Sequence, residues 1–258
     1  MKTKNLIRNL LLAATCPFVL SSCEFWDELF EEPTEEEQEK VENKNEGGET
    51  TTVRIKDGLV AHYMFDDETC DDQTDNELDG SLYDVPTYVT ETPNGSGKAL
   101  FLNKNKYPEQ SLSIPYNPLR GLTSYSISIW VKDFSAGTFI GAVDGNSWDG
   151  NMRFYYKENG SIACSQRNNA IRYYEFSGFN GFSLVDGLWH MLTYVQVRGN
   201  AKLYVDGKLV DNQATCDNPI GVGGTRIVVN NHMKIDNIRI YNRAVNAKEV
   251  AAIYKAEK

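Results

Sequence analysis

The sequence predicts an all-β protein, an antiparallel sandwich that ends in one short helix. Three observations carry this. From about Val53 the chain breaks into short apolar-rich runs separated by Gly, Asn and Asp turns. The run Ser124-Tyr125-Ser126-Ile127-Ser128-Ile129-Trp130-Val131 alternates with period two, so one of its faces is buried. The stretch from Ala201 to Val210 places Asp206-Gly207 between two such runs, the signature of a hairpin. Many short strands and almost no helix favour a sandwich over any helical architecture.

The chain opens on a different kind of segment. Met1-Lys2-Thr3-Lys4 and Arg8 precede an apolar run from Leu10 to Leu20, and Leu20-Ser21-Ser22-Cys23 closes it. A basic start, a short apolar run and small residues at its end are the parts of an export signal. The run is shorter than the roughly 20 residues a membrane-spanning helix needs. Residues 1–22 are therefore expected to be removed. From Glu24 to Thr50 the chain holds eleven Glu and Asp27 against only Lys40 and Lys44. Such a stretch repels itself and buries little, so residues 23–52 are expected to be an extended, disordered tether. The formal charge of −10 lives there, because residues 51–258 hold 24 acids against 21 bases. A mildly acidic body with no basic stripe excludes a nucleic-acid partner.

Residues 53–258 are expected to form one domain, a chain length sufficient for one sizeable core. Its strands are read at Leu59 to Phe65, Ala99 to Leu102, Ser111 to Pro115, and Ser124 to Val131. Phe139 to Val143, Arg153 to Tyr156, Ile171 to Phe176 and Met191 to Val197 follow. The hairpin of 201–210 comes next, then Arg226 to Val229 and Ile235 to Ile240. The helix starts at Asn246, three residues before Glu249, which is the spacing of a capping box. Val250, Ile253 and Tyr254 then share one face that can pack on the sandwich. Cys70, Cys164 and Cys216 remain in the body; spacing does not decide whether two of them pair.

Two family resemblances follow from these residues. Leu20-Ser21-Ser22-Cys23 resembles the lipobox of bacterial lipoproteins, in which the Cys is lipidated and becomes the mature N-terminus. That resemblance implies lipidation at Cys23, with acyl chains dominating attachment to the outer membrane. The acids that follow either space the domain from the membrane or act as a sorting signal, since they resemble surface-export signals of Bacteroidetes lipoproteins. Exposure at the cell surface is expected, with the periplasmic face as the alternative.

The body resembles laminin-G-like domains of the concanavalin A-like lectin/glucanase superfamily. Leu59 to Asp66 is similar to the family's opening strand, and Asp72 to Gly80 to the Asp-Ser-Ser-Gly-Asn-Gly-x-x-Gly turn, with Asp75 and Glu77 in place of glycines. Gly97 to Leu102, Ser126 to Lys132, Asp186-Gly187-Leu188-Trp189-His190 and Leu203-Tyr204-Val205-Asp206-Gly207 match further segments in order. Ile235 to Ala244 matches the closing strand. The resemblance implies an antiparallel two-sheet jelly-roll sandwich, with Trp130 and Trp189 at core positions.

Residues 66–79 carry eight acids, a density that suits a hard cation with oxygen ligands. The resemblance implies a structural Ca²⁺ joining the first strand to the last, which by position points to Asp66, Asp72, Asn76 and Asp236. A solvated acidic loop without an ion is the alternative. Catalysis is not expected: related glucanases carry Glu-x-Asp-x-x-Glu on one strand, and the body has no such motif. Binding is the expected class. Aromatic faces with polar groups beside them recognise sugars. Trp148 lies in the polar stretch Asp144 to Gly150, expected to be a loop, while Arg153 and Tyr155 share one side of their strand. With Tyr173 on a neighbouring segment, Trp148, Arg153, Tyr155 and Tyr173 form the candidate carbohydrate-binding surface. Two partners are thus in view: a glycan, or a cell-surface protein in an adhesive or assembly role.

Overall fold

Alternation along each strand assigns the layers of the domain. The computed structural model describes residues 40–44, 50–103, 110–144, 147–168, 170–176, 184–214 and 226–258, with side chains for 53–103, 110–143, 152–165, 184–214 and 226–258. Cys23 and the stretch expected to be an export signal, like Cys216, lie outside the described residues.

Two antiparallel sheets face each other. The seven-stranded sheet runs β12 (Ala170–Phe176), β11 (Ile162–Asn168), β10 (Ser147–Tyr156), β9 (Gly137–Asp144), β16 (Arg226–Val229), β7 (Ser111–Ile114) and β4 (Ser81–Tyr83). The eight-stranded sheet contains β15 (Lys208–Ala214), β14 (Asn200–Val205), β13 (His190–Val197), β8 (Tyr125–Lys132), β17 (Met233–Tyr241), β6 (Ala99–Leu102), β5 (Thr87–Val89) and, beside β17, β3 (Leu59–Tyr63). The order is the two-sheet sandwich expected for a jelly roll. Between the sheets lie Ile127, Ile129, Tyr194, Leu203, Ile235 and Ile240 from one side and Leu112, Ile140, Phe154, Ile162 and Ile227 from the other. The expected hairpin is present as β14 and β15, turning at Asp206-Gly207.

The alternation of β8 predicts one buried face, yet both are buried. Tyr125, Ile127, Ile129 and Val131 enter the core between the sheets. Trp130 enters a second cluster with Met191, Val195 and Tyr204, which helix α1 (Ala247–Glu257) covers with Val250, Ala252 and Ile253. The serines on that face survive burial because they are bonded. The Ser126 hydroxyl donates to the Arg243 carbonyl and accepts from the Val245 amide, both at 2.9 Å, and Ser128 meets Thr193 at 3.1 Å. Asn246 caps α1 as the spacing predicts: its side chain accepts from the Glu249 amide, and the Glu249 carboxylate accepts from the Asn246 amide.

Strand pairing also reaches back into the stretch expected to be tether. β1 (Lys40–Lys44) and β2 (Thr50–Arg54) pair antiparallel, with Val41 across from Val53. The β-branched run Thr50-Thr51-Thr52-Val53 suits a strand. Val53 and Ile55, at and just beyond its end, are buried in the cluster under α1.

Candidate binding face and cation site

β10 carries the candidate aromatic surface because Met152 to Tyr156 alternate between the two sides. Met152 and Phe154 point into the core. Arg153 and Tyr155 therefore project from the outer side of the seven-stranded sheet. The Arg153 guanidinium lies 4.7 Å from the centre of the Tyr155 ring, a cation–π contact, and its Nε donates to the Thr138 hydroxyl at 2.5 Å. Register places Arg153 across from Gly141 on β9 and Ser165 on β11. Ser165 in turn pairs with Tyr173 on β12, so Tyr173 belongs to the same row of strands. Trp148 is not in a loop: Ser147 already belongs to β10, because Ser147 pairs with Asp144 and the turn is tighter than the polar composition suggests.

The same outward side extends past β9. Gly141 pairs with Val228, Val228 with Ser113, and Ser113 with Ser81. Arg226 donates to the Ser113 hydroxyl at 3.4 Å. Tyr83, 61% exposed on the edge strand β4, was not among the expected site residues. Its signal was the three-residue alternation Ser81-Leu82-Tyr83, too short to stand out as a strand. On this side Ser81, Ser113, Arg226, Arg153, Tyr155 and Ser165 supply hydroxyl, guanidinium and phenol groups.

The four candidate cation ligands divide into two pairs. Asp72 organises its own loop. One carboxylate oxygen accepts from the His62 amide at 2.9 Å and the Thr74 amide at 3.0 Å; the other accepts from the Thr74 hydroxyl at 2.8 Å and the Leu78 amide at 3.2 Å. Asn76 is turned to the same task, its amide donating to the Val60 carbonyl and the Thr74 hydroxyl, both at 3.1 Å. These contacts hold the acid-rich turn against β3.

Asp66 and Asp236 differ. β6 pairs with the first part of β17 and β3 with its end, so Asp236 sits where the two meet. The adjacent Asn237 has φ +43°, and Phe65, just before Asp66, has φ +65°. Left-handed conformations at non-glycine residues, one of them aromatic, cost free energy and mark sites held by their surroundings. Asp66 accepts from the Lys98 amide at 3.0 Å and lies against Gly97, where a Cβ would come within 1.8 Å of its oxygen. Asp236 is 3% exposed and accepts from the Asn237 amide at 2.8 Å. Burial pushes its carboxyl up to about 8, and the Asp66 and Glu257 carboxylates add to the rise. A buried carboxyl raised in part by a second one fits a cation. Asp66 and Asp236 fit the ion; Asp72 and Asn76 also hydrogen-bond within their own turn. Among the described residues, no group of three or more His, Cys, Asp or Glu side chains gathers as a metal cage.

His62 lies beside this junction, its Nε2 donating to the Asn237 side-chain oxygen at 3.2 Å. Burial and the Arg239 charge lower its pKa to about 3, so it stays neutral. Cys70 and Cys164 are both buried in the core between the sheets. Burial pushes the Cys70 thiol up to about 11, which leaves it inert at neutral pH.

Two facing antiparallel sheets, an outer strand surface with tyrosine and guanidinium groups, and a buried carboxyl where β3 and β6 meet β17 define the sandwich. The chain belongs to the concanavalin A-like lectin/glucanases superfamily, whose family model matches residues 104–251. No curated protein sequence matches it. Among solved structures it is similar to domain 4 of AbnA, a GH43 extracellular arabinanase from Geobacillus stearothermophilus, in complex with arabinotriose. That likeness has 21% identity and a TM-score of 0.62 over 76% of this chain and 98% of that one. It is also similar to the binding domain of botulinum neurotoxin DC in complex with SialylT, at 15% identity and a TM-score of 0.64 over 79% of this chain. The binding domain of Paraclostridial mosquitocidal protein 1 is similar at 16% identity and a TM-score of 0.63 over 79% of this chain. The chain spans about half the length of these two toxin structures. At such identities the likeness establishes the fold.

Proposed function

We propose that this protein is a non-catalytic carbohydrate-binding module, anchored by lipid at Cys23 to the outer membrane and displayed at the cell surface. The observation that carries the sugar reading is the Arg153–Tyr155 pair on the outer side of the seven-stranded sheet, beside the Thr138 hydroxyl. A guanidinium stacked on a phenol gives a rigid, amphipathic contact surface at low entropic cost. Trp148 and Tyr173 belong to β10 and β12 of the same sheet. Similar structures support a binding role, since they include an arabinanase domain with arabinotriose and a toxin binding domain with SialylT. The absence of a Glu-x-Asp-x-x-Glu strand from the sequence supports binding without hydrolysis.

Asp66 and Asp236 would hold a structural Ca²⁺. The ion would supply positive charge to two carboxylates and so clasp the first strand segment to the last. A protein partner is the second reading, favoured by a similar toxin binding domain solved with rat synaptotagmin II.

The test is a glycan panel on residues 24–258, with Arg153→Ala and Tyr155→Ala alongside. Both variants should keep the parent melting temperature and lose at least about tenfold in affinity for the bound glycan, a loss of about 1.4 kcal/mol or more. An absence of binding across a broad panel by a folded protein would shift the function to a protein partner.

A further inference from the structure

His190 opens β13 with its side chain only 7% exposed and a carboxylate at each ring nitrogen. Nδ1 lies 2.9 Å from Asp206 and Nε2 3.1 Å from Asp186. A neutral imidazole has one N–H, and an ionised carboxylate only accepts. Both contacts are hydrogen bonds together only when the ring carries two protons. We infer that His190 is an imidazolium latch that holds the segment 185–188 onto the Asp206-Gly207 turn at neutral pH and releases it in alkali.

The two ends of the latch differ in strength. Asp206 is fixed independently: its other oxygen accepts from the Met191 amide at 3.0 Å, and its own amide donates to the Met191 carbonyl at 2.9 Å. The turn is also packed from outside, since a Cβ on Gly207 would sit 3.1 Å from Tyr254 of α1. Asp186 is about one-third exposed, and its further contact is local, from the Leu188 amide at 2.9 Å. When the ring keeps one proton, the better-fixed Asp206 retains it on Nδ1. The Nε2 lone pair then faces the Asp186 carboxylate, and that end lets go.

Val185 and Leu188 are exposed, whereas Trp189 packs half-buried against the cluster under α1, its indole Nε1 lacking an acceptor among the described residues, so the part the latch controls is 185–188. Among the described residues, the charged groups facing the latch include Asp186 from the loop, Asp206 from the hairpin, and Lys258 at the end of α1, whose ammonium acts on Asp206. Across the sheet, His190 pairs with the uncharged Val131. The bonds from Asp206 and then Asp186 raise the His190 pKa above its usual value of 6.5, against burial. The sign follows from linkage: the latch's contribution is complete below the ordinary histidine pKa and is lost as pH rises through the raised one.

The test is nitrogen NMR of ¹⁵N-histidine-labelled full-length protein across pH 5–10, with His190→Gln identifying the signal. In parallel, amide exchange at Leu188 is measured relative to its intrinsic rate at each pH. Both ring nitrogens should be protonated at pH 7 with a midpoint above 6.5. Leu188 protection should fall at least about tenfold along the same titration curve, and Asp186→Asn should lower the midpoint. A midpoint at or below 6.5, or Leu188 protection that ignores the ring's titration, would overturn the latch. If Asp186→Asn does not fold, the parent's two titrations decide alone.

Discussion

Removal of the Glu257 carboxylate, next to the chain's last residue, should cost the domain a large share of its stability. Glu257 is 4% exposed, and each of its oxygens has a buried partner: Arg239 Nε at 2.5 Å and Trp130 Nε1 at 2.7 Å. Trp130 also stacks on Tyr254 with ring centres 5.5 Å apart, so helix, tryptophan and ion pair form one unit. Glu257→Ala leaves the Arg239 Nε and the indole N–H in an apolar cluster without their carboxylate. Breaking a buried pair from one side costs about 3–5 kcal/mol. An independent count agrees: roughly 1.5–3 kcal/mol for a charged hydrogen bond, plus about 1–3 kcal/mol for the stranded indole donor. Domains are stable by only about 5–15 kcal/mol. Equilibrium urea unfolding followed by far-ultraviolet circular dichroism should show this loss. The melting temperature should fall by roughly 6–20 °C. The double change Arg239→Met with Glu257→Leu should recover the share due to the unpaired Arg239, because replacing a buried ion pair by apolar groups is often neutral or better, and leave the stranded indole's share of about 1–3 kcal/mol. A loss under about 1 kcal/mol for Glu257→Ala, or a double variant less stable than the single one, would refute the reasoning.

Other outcomes follow from the strand junction. Gly97→Ala should destabilise by at least about 2 kcal/mol, because φ is +76° and the new Cβ collides with Asp66. Gly95→Ala, at φ +71° with nothing within 4 Å, should lose only the backbone strain of roughly 1–2 kcal/mol; urea midpoints of the two compare them. The Asp236 carboxyl, raised to about 8, favours the protonated fold, so its contribution is present below the unfolded pKa near 4 and is lost as pH rises through about 8. In chelator, the parent should therefore lose stability between pH 5 and pH 8.5, and Asp236→Asn should flatten that decline. Added Ca²⁺ at pH 8.5 should raise the parent's melting temperature and leave Asp236→Asn unmoved, as read by calorimetry.

Local signals in the sequence were legible where one residue or one period decides. The alternation of 124–131, the Asp206-Gly207 turn and the Asn246–Glu249 cap all appear where their chemistry places them. Arg153 and Tyr155 share an outward side because the period of a strand leaves no other option. Misreadings arose where composition stood in for pairing. Asp144 to Gly150 is polar and was expected to be a loop, yet Ser147 pairs with Asp144 and Trp148 lies in β10. The four hydrogen bonds that Asp72 accepts depend on how the turn folds back on β3, which density of charge does not reveal.

By itself the sequence determined the all-β class, the hairpin, the helix cap, and the separation of an acidic leading stretch from a nearly neutral body. Each is a property of neighbouring residues, set by side-chain period, turn chemistry or charge density. Only the tertiary structure decided that the Asp66 charge acts on buried Asp236, that Glu257 reaches both Trp130 and Arg239, and that His190 lies between Asp186 and Asp206. Those meetings depend on strand order and register, which burial of whole faces selects. A carboxylate's pKa and partner are then fixed by residues far away along the chain, and no spacing within one segment records them.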